Sequence, residues 1–457
     1  MTSKLSKNFR RAVVAGVMLT GAAGTGLAAV MPDNEDLSVT IDTAETSYSK
    51  DLDALENRFT ERLKNIAPAS GRQVVIIDPN KFESAVALGL SPVAAIDRIL
   101  EGHRTKTSPE VAAEIAKDMW NRPAYSPVTG SARKTDPRTR YLGAENACVI
   151  TPADPSGSFG IDGLATLETE KFVNYHEGWH CLSFKYNDTK DSDIETLARL
   201  DMDKLKAGNL LELAHSPSAL RIATMRNKGE SFADLGATGD MIREGFPVDI
   251  IDRIAEWRRR SSGSVDFEHF SNPSLMALKK RIGDMGVEKF RLLQEAELEK
   301  LYYDITDKHA LSPEKMKHYL IYNQATPAER RAMNEQMISN PAIRGGIDFD
   351  KDFTTPQNPA NAPPLMAPEE EQRMKDALNS WDAEKALQDE TLRVHGKMTP
   401  QTLVKAHASL QTGLRESLKQ DPHNLLYPEM MTKLKDSFTG LGMKIAAQQK
   451  TSDTPKM

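Results

Sequence analysis

Serine or threonine directly before proline recurs along this chain at the head of apolar-periodic stretches: Ser91-Pro92, Ser108-Pro109, Ser312-Pro313, Thr326-Pro327 and Thr399-Pro400. A hydroxyl at the N-cap accepts a backbone N–H of the first turn. Proline at the first helical position gives up an N–H that has no partner there anyway. Thr326 with Glu329, and Ser192 with Glu195, add the spacing of capping boxes. Such punctuation predicts helices and leaves little room for sheet. Two short β-branched runs read as strands, Val74-Val75-Ile76-Ile77 and Ala147-Cys148-Val149-Ile150. The expected class is therefore mainly α with a small β-sheet, an α+β fold.

At 457 residues the chain is long enough for two or three folded units. Pro356, Pro359, Pro363, Pro364 and Pro368 stand among Asn, Ala and Thr, so residues 346–368 read as a linker. Helix-period patterns at 369–392, 399–418 and 427–448 predict a C-terminal hairpin or three-helix module over 369–450, with 451–457 as a polar tail. Upstream, helical spacing at 48–66 and 91–100 flanks the first strand. Residues 51–140 are expected to form an N-terminal α+β subdomain or a propeptide, and residues 141–345 a central domain.

The first eleven residues carry Lys4, Lys7, Arg10 and Arg11 and no acid, ahead of an uncharged run that ends in Gly26-Leu27-Ala28. A basic head, an apolar stretch and a small-x-small end predict a secretory signal peptide over 1–28, with 29–50 as a flexible leader. An uncleaved anchor is the alternative. Export to the periplasm or the extracellular space is expected, with no membrane insertion after cleavage. The whole chain has 59 basic and 65 acidic side chains, a formal charge of −6. Loss of the four basic residues above shifts it to −10. A protein this acidic lacks the basic footprint that nucleic-acid binding needs.

The chemistry concentrates in Phe172-Val173-Asn174-Tyr175-His176-Glu177-Gly178-Trp179-His180-Cys181, which contains His-Glu-x-x-His. On a helix, residues four apart share a face, so His176 and His180 can offer imidazole nitrogens to one cation with Glu177 beside them. With ten histidines in the chain, chance supplies on the order of 0.02 such pentapeptides. A second carboxylate pair follows in Gly229-Glu230-Ser231-Phe232-Ala233-Asp234. If that stretch is helical, Glu230 can reach the same cation, while Asp234 can accept the N–H of a ligating imidazole.

These two motifs together resemble the gluzincin-type, thermolysin-like zinc metallopeptidases, over roughly residues 145 to 340. The longer metzincin pattern fails, because Tyr186 stands where its third histidine would be. The resemblance implies a zincin-like metalloprotease core with one zinc ion per chain held by His176, His180 and Glu230. It implies Glu177 as general base and Asp234 as the partner of a ligating histidine. The implied activity is hydrolysis of peptide bonds in a peptide or protein substrate by a metal-activated water. By the same resemblance the strand at Cys148 to Ile150 is expected at a sheet edge, where it could pair with an extended peptide. Such enzymes also need a donor for the oxyanion. His269 is the first candidate, with His215, Tyr302 and Tyr303 behind it.

Two other readings stay open. His176 and His180 can be buried histidines satisfied by ordinary hydrogen bonds. Or the chain can be an inert metal-binding or envelope interaction protein that engages a protein partner through its C-terminal helices. His395, His407 and His423 fit no compact metal motif and read as surface residues. The two cysteines, Cys148 and Cys181, are either buried thiols or a bridge tying the second strand to the motif helix. Closing that 33-residue separation would contribute roughly 3 to 4 kcal/mol.

Overall fold

The computed structural model describes residues 46–66, 72–120, 138–142, 147–153, 161, 163–186, 217–261, 268–324, 328, 332, 368–421 and 426–452. The expected signal peptide, most of the expected leader and nearly all of the expected linker lie outside these residues, as do the end of the tail, both expected capping boxes, Thr326-Pro327, His215 and His423. No helix among the described residues is long and apolar enough to cross a membrane.

Among the described residues helix dominates, with one small sheet. Helix α1 spans Ser47–Ile66 and is followed by β1 (Gln73–Ile76), α2 (Pro79–Ala87), α3 (Pro92–Gly102) and α4 (Pro109–Trp120). Strands β2 (Arg138–Leu142) and β3 (Ala147–Thr151) lead to α5 (Thr166–His180), which carries the histidine motif. The long helix α6 (Pro217–Arg243) comes next, then α7 (Ile250–Ser261), α8 (Asn272–Met285), α9 (Val287–Arg291), α10 (Glu295–His309) and α11 (Pro313–Gln324). Beyond the linker lie α12 (Pro368–Ser380), α13 (Ala383–His395), α14 (Pro400–Gln420) and α15 (Tyr427–Ser452).

Several helix starts follow from the residue chemistry. Ser91 accepts the Ala94 N–H at 3.2 Å, Ser108 the Val111 N–H at 3.4 Å, Ser312 the Lys315 N–H at 3.3 Å and Thr399 the Thr402 N–H at 3.1 Å. The C-terminal module has four helices rather than two or three. The break falls at Trp381 and Asp382, where Asp382 caps α13 by accepting the Lys385 N–H at 2.9 Å.

The sheet order is β1-β3-β2, with β1 parallel and β2 antiparallel to β3. The expectation that the Cys148 strand lies at an edge is therefore corrected: β3 is central, and β2 is an edge. Alternation along the strands explains why a central strand fits here. Val74, Ile76, Cys148 and Ile150 face one core, while Val75, Ile77 and Val149 face another. A strand apolar on both faces belongs in the middle of a covered sheet.

The second of these cores is lined by α2, α3 and α4 through Phe82, Ile96, Leu100 and Ile115. The first joins α1 to α5, α6, α7, α8 and α10 through Phe59, Phe172, Trp179, Phe232, Ile254, Leu278 and Tyr302. One core therefore spans residues on both sides of the expected boundary at 140. Likewise β1, drawn from the expected N-terminal subdomain, pairs directly with β3.

Buried charges reinforce this continuity. Arg62 of α1 is 4% exposed and forms a two-pronged pair with Asp240 of α6, at 2.5 and 2.7 Å, while stacking over Phe59 and Trp179. Removing one member of such a pair leaves a buried charge uncompensated. At the other end of the chain, Arg415 of α14 is held bidentate by Glu170 of α5, at 2.6 and 2.8 Å, and also reaches Asp51. Close backbone approach fixes the seat of the C-terminal module on α2. A Cβ at Gly442 would lie 2.7 Å from the Ala87 carbonyl oxygen.

Candidate metal centre

Helices α5 and α6 build the site, and their contacts show that they run antiparallel. His180 meets Glu230, His176 meets Asp234, and Lys171 meets Glu244, so positions climb on one helix as they fall on the other. Helix α5 begins where the Ala165 N–H donates to Glu168 at 2.9 Å, and it is buried along almost its whole length. It passes close to α1: a Cβ at Gly178 would sit 2.1 Å from the Phe59 ring, so only glycine fits that free position of the motif. Trp179, the other free position, turns into the core, and its Nε1–H donates to Asp240 at 2.9 Å.

His176 Nε2 lies 3.0 Å from Glu230 Oε2 and 3.0 Å from His180 Nε2. His180 Nε2 lies 3.4 Å from Glu230 Oε1. The three side chains that the sequence nominated thus converge, with Glu230 presenting one oxygen to each histidine. His269 joins them, its Nε2 3.2 Å from Glu230 Oε2. His176, Glu230 and His269 each place a donor atom within 4.8 Å of the others.

Behind His176, Asp234 Oδ1 stands 2.8 Å from Nδ1, a short contact but not an aligned hydrogen bond. Asp234 is fully buried, and Arg258 of α7 grips it through Nε and Nη2 at 2.8 and 2.7 Å. The Ser271 hydroxyl also donates to it. Neither Arg258 nor Ser271 was legible beforehand, because they reach Asp234 from other elements and fit no local spacing.

The electrostatics follow from these contacts. Burial by itself raises the Asp234 pKa, but the charges of Arg258 and His176 outweigh it and hold the carboxyl well below its ordinary range. Burial is likewise overcome at Glu230, which His269, His180 and His176 hold low. Burial lowers the His176 pKa, yet Asp234 and Glu230 together push it up to about 10. The site is a buried anionic cradle that favours positive charge.

Its donor set fits a divalent metal. Glu230 Oε2 is buried without a hydrogen bond while facing two imidazole nitrogens. Without a metal, the raised pKa keeps His176 protonated and positive beside this oxygen; a metal ion bound there would displace that proton and take its place between the two groups. His176, Glu230 and His269 each offer one atom close enough to the others to share a metal ion, and His180 reaches the other oxygen of Glu230.

Glu177 follows His176 but faces the sheet: Thr139 of β2 donates to Glu177 Oε2 at 2.8 Å and lies equally close to its backbone oxygen. Thr139 carried no signal in the sequence, since only the fold brings an edge strand to the motif helix. Tyr302 is fully buried against Trp179 and Phe232, and Tyr303 donates to the Leu182 carbonyl at 3.0 Å while stacking on Phe232. These are packing positions. His407, expected at the surface, is 2% exposed and stacks on Phe438 with centroids 4.0 Å apart, because α14 turns that face into the C-terminal core. Cys148 and Cys181 form a disulfide that joins the central strand to the end of the motif helix.

Neither a protein-family model, nor a curated protein, nor a solved structure matches this chain.

Proposed function

We propose that this chain is an exported zinc-dependent metallopeptidase of gluzincin type, with a zincin-like core, that hydrolyses peptide bonds in a peptide or protein substrate. The observation that carries the reading is the convergence of His176, His180 and Glu230 from two antiparallel helices, with Asp234 behind His176. One zinc ion held by those three side chains would polarise a substrate carbonyl and acidify a water at the site.

The chain's own groups do the rest. Glu177 takes the proton of the attacking water and returns it to the leaving amine. Thr139 engages Oε2, which makes Oε1 the oxygen that moves the proton. Strand β2 pairs with β3 along one side, and its outer side suits backbone pairing with an extended peptide. His269 would donate to the oxyanion. The competing reading, an inert interaction protein working through its C-terminal helices, is disfavoured by Arg415. That side chain is committed to Glu170 on the motif helix itself, so the module braces the site.

The test is Glu177→Gln in the mature protein. One zinc per chain is expected to remain bound, while peptide cleavage falls by about 10²- to 10⁴-fold. Undiminished cleavage by the variant removes Glu177 from the role of base.

A further inference from the structure

We propose that Asn227 is a positioning residue of the reaction, which sets where the His269 ring stands at the metal centre. The inference rests on the metallopeptidase reading above, in which His269 serves the oxyanion, and extends it to a side chain outside the ligand set. Asn227 is fully buried on α6, one turn before Glu230. Residues three apart share a face of a helix, so α6 presents the proposed ligand and Asn227 side by side.

Asn227 Nδ2 donates to the carbonyls of Glu268 and Phe270, at 3.1 and 3.0 Å, and so clamps the turn on either side of His269. Its Oδ1 accepts the Leu311 N–H at 3.0 Å. A carboxamide is the side chain that can do both, because it carries two N–H donors and a carbonyl acceptor. A carboxylate cannot donate, and a serine hydroxyl donates only once. Leu311 leads into α11, whose Tyr319 packs on Phe270 with ring centroids 5.6 Å apart. The clamp and the packing thus close a loop through α6, the turn and α11.

Other contacts hold the same turn. Arg226 pairs with Glu268, the Ser271 N–H donates to the His269 carbonyl at 2.8 Å, and the Ser271 hydroxyl donates to Asp234. The His269 side chain is 33% exposed and stands on a turn, so its backbone carries much of the positioning. With that backbone fixed, its Nε2 stands 3.2 Å from Glu230 Oε2. A donor to developing charge works only if it is in place beforehand, held by groups that do not themselves react. Asn227 supplies that hold from the helix that carries Glu230.

Steady-state kinetics of the mature protein on a fluorogenic peptide selected from a random library test this with Asn227→Ser, His269→Ala and the double variant. Asn227→Ser should lower kcat by about 10- to 100-fold while KM stays within about twofold. It should cost no further activity once residue 269 is alanine. Equal losses in both backgrounds overturn the inference, since they give Asn227 a general structural role, and an undiminished kcat overturns it too. In the wild type, the Leu311 amide should exchange with solvent at least about tenfold more slowly than an unprotected amide. Exchange at the unprotected rate overturns the clamp even if Asn227→Ser fails to fold. A wild type that binds zinc yet cleaves no member of the library overturns the metallopeptidase reading, and the inference with it.

Discussion

Asp234 Oδ1 stands 2.8 Å from Nδ1 of His176, the ring nitrogen that does not face Glu230. A carboxylate placed there orients the imidazole and increases its basicity as a ligand. Because Arg258 and Ser271 occupy the rest of Asp234, its position is fixed before any metal arrives. Asp234→Asn should weaken zinc binding by about 10- to 100-fold. It should also cost about 3 to 5 kcal/mol of stability, because Arg258 keeps a buried charge without its anion. Chelator competition reads the first effect and urea denaturation the second.

Thr139 ties the edge strand to Glu177, the proposed base. Its hydroxyl is the donor that the structure gives to Glu177 Oε2. Hydrogen bonds to charged groups are worth about 1.5 to 3 kcal/mol. Thr139→Val should therefore lower kcat by roughly 10- to 100-fold while zinc content stays at one per chain, as measured by steady-state kinetics beside metal analysis. An unchanged kcat would detach β2 from the catalytic step.

The Cys148–Cys181 bridge fastens the central strand to the end of the motif helix. Replacing both cysteines with serine should reduce stability by about 3 to 4 kcal/mol through the unfolded-chain entropy of a 33-residue separation. In the oxidised protein neither thiol should react with an alkylating agent until a reductant is added, as read by mass spectrometry.

His407 makes the C-terminal module acid-sensitive. Burial, with Lys435 adding to it, pushes its pKa down to about 3, so the folded protein keeps it neutral while the unfolded chain protonates it near 6.5. Its contribution is complete above about pH 6.5 and is lost as pH falls from there toward 3, by up to about 1.4 kcal/mol per unit. His407→Gln should therefore relieve about 2 kcal/mol of the stability that the wild type loses between pH 7.5 and 5. Denaturant titrations of both proteins at the two values measure it, and equal losses would contradict the assignment.

Much of this architecture was legible in the chain itself, for a physical reason. Caps at Ser91 and Thr399, the strand near Val74 and the i, i+4 pairs of His176 with His180 and of Glu230 with Asp234 depend on contacts within a turn or two, where sequence spacing and spatial spacing are the same thing. Other relationships are set by packing between distant elements. Thr139 meets Glu177 across 38 residues, Arg258 meets Asp234 across 24, and Arg415 meets Glu170 across 245. No periodicity encodes these meetings. Sequence could nominate His269 as a histidine of interest, but only the clamp of Asn227 on its turn put Nε2 beside Glu230. The central place of β3 likewise required both cores to exist, since a strand's neighbours are chosen by what covers its two faces. Sequence alone thus determined which side chains stand at the spacing of candidate ligands and base, and tertiary structure decided which of them meet and what holds them, because local spacing is written in the chain and long-range packing emerges only when the helices and strands close on one another.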